Sequence, residues 1–329
     1  MSEPDDIQSD DDLAKQVKTM SREIKLLNKK LMRSEANRDR AEKMKDETDA
    51  LYENVLHQVE EQKQAIEDAQ ARLNEAFEVI SSSITYAARI QRSVLPDVSI
   101  LDAVTQDHFV LWEPRDRVGG DMYWVGAWGE GCLVILADCT GHGVPGAFMT
   151  LIVIGALERA LKEVPPGKLG DLIARVHQFV QVSLGQHYER DGSDDGLELG
   201  AVYFELGAPQ FTFVGARFDL FQVIDGEVRN AKGAKTGLGY RGIPYAQTFE
   251  EVLVSHETGA RLYLKTDGFT DQVGGENRRM FGNKRFKALL LEIQDCPMAE
   301  QKQRLEKALL DYQGAEGRRD DVSIIGFQI

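Results

Sequence analysis

The sequence has few cysteines, fewer basic than acidic side chains, and no long apolar run. Its three cysteines, Cys132, Cys139 and Cys296, lack paired or metal-finger spacing, which argues against a disulfide framework and favours a reducing compartment. The 54 acidic and 39 basic residues give a net charge of −15, which argues against binding to nucleic acid or to an anionic membrane surface. The longest apolar stretch, Val144–Leu157, is too short to span a bilayer, and the acidic N-terminus is not a signal peptide. We therefore expect a cytoplasmic protein without a membrane span.

The N-terminal quarter of the chain has the pattern of a long helix. Residues 1–12 are acidic and poor in large apolar groups, which predicts a disordered lead. From Leu13 to Ile80 one seven-residue apolar repeat runs without proline or glycine, although its seam is polar between Ser34 and Thr48. This pattern predicts a coiled coil over residues 13–84, with a parallel homodimer as its commonest assembly. The alternative is a long helix packed against its own domain.

After Pro96 the periodicity changes from helical to strand-like. Grouped strands around paired helices predict an α+β domain of antiparallel sheets covered by helices over residues 98–329, and not a doubly wound parallel sheet. Gly129-Glu130-Gly131 and Asp225-Gly226 predict hairpin turns. The expected strands are His108–Glu113, Met122–Trp128, Cys132–Asp138, Leu197–Glu205, Phe211–Gly215, Leu220–Ile224, Phe249–Val254, Arg261–Lys265 and Val322–Gln328, and the expected helices are Val144–Lys162, Gly167–Leu184, Lys284–Ile293 and Ala299–Tyr312.

Four short acidic segments carry the chemistry. Each places an aspartate at the end of an apolar run or beside glycines: GGD ends at Asp121, ADCTGHG contains Asp138, KTDGFTDQ contains Asp267, and RRDD contains Asp320 and Asp321. Carboxylates from separate strand ends suit hard divalent cations. If they converge, they can bind two cations that lower the pKa of a shared water toward about 7 and clamp a phosphoryl group. The ordered set predicts metal-assisted phosphoryl chemistry.

In order and spacing, the segments GGDMYW, ADCTGHGVPGA, KTDGFTDQ and RRDDVSII resemble those of the PPM metal-dependent serine/threonine phosphatases, and within them the bacterial SpoIIE/RsbU branch. The resemblance covers the chain from about Ser93 onward. It implies an αββα sandwich with two Mn²⁺ or Mg²⁺ ions between the sheets, and catalysis by metal-bound water at Asp121 and Asp138. By position, it implies Asp138 as the bridging ligand, Asp121 at the first metal, Asp267 and Asp320 at the second, and the Cys139 backbone carbonyl as an additional ligand. Asp321 is not expected to reach a metal.

The resemblance extends to regulation and substrate. Ile90, Gln91, Leu95 and Pro96 match an I-Q-x-x-L-L-P-like segment, which implies a regulatory linker over residues 85–97 that conveys dimerisation or sensor state to the metal site. The implied substrate is a phosphorylated STAS-domain protein, an anti-sigma-factor antagonist in a partner-switching pathway. The chain departs from the branch at residues 215–218, where GARF replaces a G-H-x-P-like stretch. No known sensor domain precedes the coiled coil, so the activating signal is missing or arrives through a separate upstream sensor protein.

Several residues have two readings. His142 is a candidate general acid, but it more simply orients its glycine-rich loop, because a metal-activated water needs no histidine base. Arg115 and Arg117 are candidate ligands of substrate phosphate, or else solvated ion-pairing groups. The Cys139 thiol is not expected to be catalytic. At the level of the whole protein, the rival function is a coiled-coil signalling scaffold that binds a phosphoprotein without turnover, and a third is a small-molecule phosphatase.

Overall fold

The structure, a computed structural model, describes residues 10–187 and 194–329. The chain divides into two units, residues 1–79 and 80–329. Most of the expected disordered lead, residues 1–9, lies outside the described residues. Its last three residues, 10–12, form the start of helix α1, Asp10–Val94, because nothing in this acidic stretch interrupts the helix.

The first unit is a stretch of helix α1 with solvent on all sides. Every described side chain from residue 11 to residue 79 is exposed, including the apolar seam, where Leu27 is 63% and Leu73 is 68% exposed. Pairs of opposite charge four residues apart support the helix, as between Arg38 and Glu42. A seam of apolar groups in water favours a partner helix, and the coiled coil stays a prediction.

The second unit is a layered α+β domain. The linker helix, residues 80–94 of α1, belongs to it. The remaining helices are α2 Ile100–Val104, α3 Gly143–Glu163, α4 Leu169–Ser183, α5 Gly268–Asp271, α6 Gly282–Ile293 and α7 Met298–Gln313, and the strands are β1 Asp107–Glu113, β2 Asp121–Trp128, β3 Gly131–Cys139, β4 Leu197–Glu205, β5 Gln210–Ala216, β6 Leu220–Ile224, β7 Glu227–Ala231, β8 Val252–Ser255, β9 Arg261–Lys265, β10 Val273–Gly274, β11 Arg279–Met280 and β12 Val322–Gln328.

Two five-stranded sheets form the centre of this domain. One has the order β1-β12-β9-β6-β7 and the other the order β2-β3-β4-β5-β8, and all their pairings are antiparallel. Helices α3 and α4 cover the second sheet, and α6 and α7 cover the first. The expected αββα sandwich is therefore confirmed, as are the hairpins at Gly129-Glu130-Gly131 and Asp225-Gly226.

Strand β3 shows why its sequence is apolar throughout. Leu133, Ile135 and Ala137 pack toward helices α3 and α4, whereas Val134 and Leu136 pack toward the other sheet. A strand with both faces covered needs apolar residues at every position, because successive side chains point to opposite faces. The end of this strand is consequently held from both sides, and Asp138 lies at that end.

Helix α3 is the apolar core helix. An 18-residue window within its 21 residues reaches a mean hydropathy of 1.5, which by length and composition alone would suffice to cross a membrane, but half of that window is buried inside the domain. Its Val153 and Leu157 side chains pack in the apolar core between helices α3 and α4 and the second sheet. The apolar stretch Val144–Leu157, which was predicted to form a buried helix, lies within it.

Some elements were not predicted from the sequence. Strand β7 has the polar sequence EVRNA and pairs only at the sheet edge, so it lacks the alternation of a half-buried strand. Strand β8 begins at Val252 and not, as predicted, at Phe249. The Phe249 side chain packs in the apolar core between the second sheet and helices α3 and α4. The unpredicted short elements are α2, α5, β10 and β11.

The contact between the two sheets is testable at Phe327, whose ring stacks on Phe204 with centroids 6.1 Å apart. Phe327→Ala should lower the free energy of unfolding by about 3–5 kcal/mol, because it opens a cavity between the sheets. Leu206→Ala is the control, since Leu206 is 66% exposed and its truncation should change stability by less than about 0.5 kcal/mol. Urea unfolding followed by tryptophan fluorescence checks this, because all three tryptophans lie in the second unit. Equal losses in both variants would contradict the layered packing.

Candidate metal centre

Two of the predicted aspartates face each other across a strand pair. Asp121 is the first residue of β2, and the antiparallel register places it directly opposite Asp138 near the end of β3. On the other side of β3, Asp138 lies opposite Glu198 of β4. Residues directly opposite in neighbouring strands point to the same face. Three carboxylates therefore form a row across one end of the second sheet.

The other two aspartates lie at the end of the first sheet. Asp267 follows β9, and Asp320 precedes β12. Between them, the Thr266 amide donates to the Ser323 carbonyl at 3.0 Å, and the Ser323 amide donates to Thr266 Oγ1 at 3.0 Å. This double contact fixes the ends of β9 and β12 side by side, so both aspartates leave the sheet at the same place.

A buried hydrogen bond joins the two sheets at this point. The Thr266 hydroxyl donates to Asp121 Oδ2 at 2.8 Å, and both side chains are buried. The Trp112 indole N–H donates to the Asp121 backbone carbonyl at 2.9 Å. Asp121 is thus oriented by a side chain from the opposite sheet and anchored through its own backbone. This link brings the row on the second sheet to the strand ends of the first.

The aspartates of the four segments influence one another's pKa values. Burial raises the pKa of Asp121 well above its usual value, and the Asp321 carboxylate adds to the effect. Burial also raises the pKa of Asp138 well above its usual value, with further contributions from Asp121, Asp267 and Asp320. Each carboxylate disfavours ionisation of its neighbours, as expected for like charges held together in a region of low dielectric.

Asp267 belongs to the same electrostatic unit. Burial raises the pKa of its carboxyl, Asp271 and Asp320 raise it further, and Lys265 together with a hydrogen bond to Asp138 opposes the rise. Burial meanwhile lowers the pKa of Lys265, and the nearby carboxylates of Asp267 and Asp271 oppose this change. A divalent cation would relieve this repulsion, and carboxylate oxygens are the ligands that Mn²⁺ and Mg²⁺ prefer. The donor set fits a hard divalent metal.

The donors are close neighbours without forming a closed cage. Within residues 10–187 and 194–329, no three His, Cys, Asp or Glu side chains meet the geometry of a ready metal cluster. Asp138 is instead the member common to two pairs. It lies opposite Asp121 in the neighbouring strand, and it forms a hydrogen bond with Asp267. The fit to a metal therefore rests on oxygen donors and on charge.

Asp321 holds the loop that carries Asp121. Its Oδ1 accepts a hydrogen bond from the Arg115 amide at 2.6 Å, and its Oδ2 accepts from the Gly120 amide at 2.5 Å and from the Asp121 amide at 3.4 Å. Asp321 is buried, whereas the neighbouring Asp320 is partly exposed and accepts from the Asp321 amide through Oδ1 at 2.9 Å. Since backbone groups engage both oxygens of Asp321, the arrangement favours Asp320 as the member of this pair that binds a metal.

The glycines before Asp121 allow the chain to approach closely. A Cβ at Gly120 would lie 2.3 Å from the Gly141 carbonyl oxygen and 2.7 Å from the Cys139 carbonyl oxygen. The Cys139 carbonyl therefore lies beside the loop that leads into Asp121, as its predicted role requires. The Cys139 thiol itself is buried, and burial raises its pKa well above the usual value, which argues against a reactive thiolate.

The other predicted residues make structural contacts. His142 Nδ1 lies 3.4 Å from an Asp116 carboxylate oxygen, and an Arg115 guanidinium nitrogen lies 3.2 Å from the same oxygen. The Arg117 guanidinium donates to the Ser81 carbonyl at 3.1 Å and to the Thr85 hydroxyl. These contacts favour loop-orienting and helix-anchoring roles, and binding of substrate phosphate by Arg115 and Arg117 stays a prediction.

Gln91 connects the linker helix to the metal-site loop. Its side chain is 2% exposed, its Nε2 donates to the Gly119 carbonyl at 2.6 Å, and its Oε1 accepts from the Gly119 amide at 3.2 Å. Nε2 also donates to the Thr150 hydroxyl of α3 at 3.1 Å. One side chain thus satisfies both backbone groups of Gly119, two residues before Asp121. Of the other linker residues, Ile90 is 41% exposed, and Leu95 packs beside the apolar cluster of α3 and α4.

Comparison with known proteins identifies the domain. Residues 129–329 match the family model of stage II sporulation protein E, SpoIIE. The PP2C domain of SiaA from Pseudomonas aeruginosa is 34% identical to this chain. The match covers 77% of this chain and 98% of the SiaA chain, and the two structures superpose with a TM-score of 0.70. The chain belongs to the SpoIIE family. It is a PP2C-type serine/threonine phosphatase.

Two more distant structures share the fold. The RsbU and RsbW domains of a Mycobacterium tuberculosis protein are 19% identical over 68% of this chain and 60% of that chain, with a TM-score of 0.53. The SpoIIE phosphatase domain with a fragment of its regulatory domain, from Bacillus subtilis, is 16% identical over 68% of this chain and 63% of that chain, also with a TM-score of 0.53. Among curated proteins, no sequence matches this chain.

Three residues that position this SpoIIE-family site were missed in the sequence. Thr266 was noted only as part of the KTDG segment, Glu198 is one of two acidic residues in the mainly apolar strand β4, and Trp112 gave no polar signal. The threonine directly before Asp267 could have been found, because a short hydroxyl at a buried strand end needs a partner. The Trp112 contact depends on tertiary packing and has no local signature.

In this phosphatase, close packing of the GGD loop predicts the effect of Gly120→Ala. The added methyl group would collide with the Gly141 and Cys139 carbonyl oxygens, so stability should fall by about 1–3 kcal/mol and phosphatase activity should fall with it. Gly155→Ala is the matched control, because Gly155 is exposed in helix α3 with no atom within 4 Å of its added Cβ. It should stabilise the domain by about 0.5–1 kcal/mol. Thermal unfolding of both variants checks this, and a Gly120→Ala protein as stable as the native one would contradict the packing.

Proposed function

We propose that this chain is a divalent-metal-dependent protein phosphatase that removes phosphate from serine or threonine of a phosphorylated STAS-domain protein, an anti-sigma-factor antagonist in a bacterial partner-switching pathway. The observation that carries the metal dependence is the cross-strand pair Asp121–Asp138, which shares one electrostatic cluster with Asp267 and Asp320. The substrate class rests on the family and on likeness to SiaA and to an RsbU domain. The reaction takes place in the cytoplasm.

The residues that would hold two Mn²⁺ or Mg²⁺ ions are Asp138 between them, Asp121 and the Cys139 carbonyl at one, and Asp267 and Asp320 at the other. When bound, the ions supply an activated water and neutralise the phosphoryl oxygens. The chain itself orients the ligands: Thr266 holds Asp121, and Asp321 holds the loop before it. His142 is not needed as a base in this scheme and instead orients its loop through Asp116.

The linker helix is the proposed regulatory element. Its Gln91 side chain donates to the Gly119 carbonyl and accepts from the Gly119 amide, so displacing the helix would take this partner away from both backbone groups. A signal from a separate sensor protein, or from dimerisation, would therefore pass from Gln91 to Asp121 through Gly119 and Gly120. Gln91 is a positioning residue in this account.

A homodimer through the coiled coil is the proposed assembly. The same seven-residue frame, continued past Ile80, places Ser83, Ala87 and Ile90 on the seam. These three residues line an apolar cavity of about 170 Å³ together with Phe148 of α3, whose side chain is 63% exposed. A second linker helix on this seam would cover exposed apolar groups that one chain leaves in water.

The function is tested by phosphate release from a phosphorylated STAS-domain protein in the presence of Mn²⁺. Asp138→Ala should reduce this release by at least about 10²–10³-fold, because the variant loses the central ligand. Leu206→Ala, at an exposed turn, is the control and should match the native chain. Release that persists in Asp138→Ala would contradict the proposed metal chemistry. Partner binding and signalling output without any release would instead establish the scaffold function.

The contrast between Asp320 and Asp321 predicts two different defects. Asp320→Asn should weaken Mn²⁺ binding, measured by titration calorimetry, and leave the fold intact. Asp321→Asn should lower the free energy of unfolding by about 1–3 kcal/mol, because an amide cannot accept hydrogen bonds at both of its ends. Reversed results, with Asp321 controlling metal affinity and Asp320 controlling stability, would show that the ligand assignment is wrong.

Removing the coiled coil tests the regulatory role. A chain that begins at residue 79 should keep the far-ultraviolet spectrum and stability of the catalytic domain but change its rate of phosphate release. Gln91→Ala in the full chain should lower that rate, since the Gly119 carbonyl and amide lose their partner. Identical kinetics in native, truncated and Gln91→Ala proteins would remove the regulatory proposal.

A further inference from the structure

A basic groove lies between the linker helix and the loop that precedes Asp121. Its volume is about 700 Å³, and it opens broadly to solvent. The linker helix supplies one wall, and the segment from Trp112 to Arg117 supplies the other. Two carboxylates, Glu113 and Asp116, also line it. The arginines that line it are Arg89, Arg92, Arg115, Arg117 and Arg318. The groove therefore carries three excess positive charges in a chain whose net charge is −15.

The arginines differ in how they are paired. Arg318 lies 3.2 Å from a Glu113 carboxylate oxygen, Arg115 lies 3.2 Å from Asp116, and Arg117 contacts neutral oxygens of the linker helix. Within the described part of the chain, Arg89 and Arg92 have no hydrogen-bond or ion-pair partner, and both are exposed. Their spacing of three residues places them on one helix face. Two guanidinium groups are thus left available for a ligand.

The residues that line the groove also contact the segments that carry the aspartates. Trp112 donates to the Asp121 carbonyl, the Arg115 amide donates to Asp321, and Arg318 lies two residues before Asp320. A ligand in the groove would therefore be next to the segments that carry the metal-site aspartates. This placement suits a part of the substrate that lies outside the phosphorylated side chain.

We propose that this basic groove docks an acidic segment flanking the phosphorylated residue of the protein substrate. The inference rests on the proposed function and adds a substrate feature to it. Charge complementarity supports the assignment, because guanidinium groups recognise carboxylates with directed hydrogen bonds. Since the rest of this chain repels an acidic partner over long range, a local basic groove would also set the orientation of approach.

Two of the five arginines come from the linker helix. The groove is complete only while that helix is held against the catalytic domain, and Gln91 and Arg117 make that contact. Docking of the linker helix would therefore complete the substrate surface as well as fix the Gly119 loop. Substrate affinity and linker position are coupled in this arrangement.

The test uses two phosphoserine dodecapeptides, one with six aspartate or glutamate residues around the phosphoserine and one with asparagine or glutamine in their place. With Mn²⁺, the native full chain should prefer the acidic peptide in kcat/KM, mainly through KM. The double variant Arg89→Glu/Arg92→Glu should lose that preference and turn over the acidic peptide about tenfold less efficiently. The milder Arg89→Gln/Arg92→Gln variant should show a smaller change in the same direction.

The matched control is Arg40→Glu/Lys43→Glu, which makes the same charge change at the same spacing on exposed residues of α1 in the first unit. It should keep the native preference. Equal efficiency on both peptides in the native chain, or an unchanged preference in the Arg89/Arg92 variants, would overturn the proposal. Equal loss in the control would also overturn it, because the effect would then come from net charge.

Fluorescence anisotropy separates failure of the groove from failure of the proposed function. If neither peptide releases phosphate, the proposed function fails for these substrates, but labelled acidic peptide should still bind the native chain more tightly than the Arg89→Glu/Arg92→Glu variant. Indistinguishable binding to the two proteins would overturn the docking site independently of catalysis. Competition by inorganic phosphate alone, with no preference between the peptides, would show a free-anion site and likewise overturn it.

Discussion

The hydrogen bond from Thr266 to Asp121 is the contact on which the site depends. It joins the two sheets at the place where four strands present aspartates, and it lies in a region that water does not reach. Buried like charges repel one another strongly, so the fold must hold them by other means. Asp321 does so on one side through three backbone amides, and the β9–β12 contact does so on the other. The two packed sheets hold the carboxylates close together although, in the absence of a cation, these groups repel one another.

The linker helix is in direct contact with the loop that carries Asp121. The GGD loop packs closely against residues 139–141, and Gln91 satisfies the backbone of its first glycine. A single helix therefore contacts the metal-site loop through Gln91 and lines the basic groove through Arg89 and Arg92. In the proposed account, regulation and substrate recognition share this one element, and a second chain would act on its exposed apolar seam.

The sequence predicted the sandwich and its main strands because their apolar patterns are strong, as in β3, where both faces are buried. It also predicted Asp121 and Asp138, whose neighbouring glycines and strand end are local signals, and the register then placed them opposite each other. It did not predict Thr266 as the link between sheets or Asp321 as the support of the loop, because both contacts join residues more than 100 positions apart. The polar edge strand β7 was missed for lack of any alternation.

The central claim, that a divalent cation relieves repulsion among these aspartates, is tested most directly by thermal unfolding with EDTA and with Mn²⁺. At a Mn²⁺ concentration about 100 times its Kd, the native chain should gain about 2.7 kcal/mol of stability. Without metal, Asp138→Asn should be at least as stable as the native chain, since one ionisable carboxyl group is removed from the cluster, and it should gain little from Mn²⁺. A native unfolding temperature that Mn²⁺ leaves unchanged, or an equal gain in Asp138→Asn, would contradict the account.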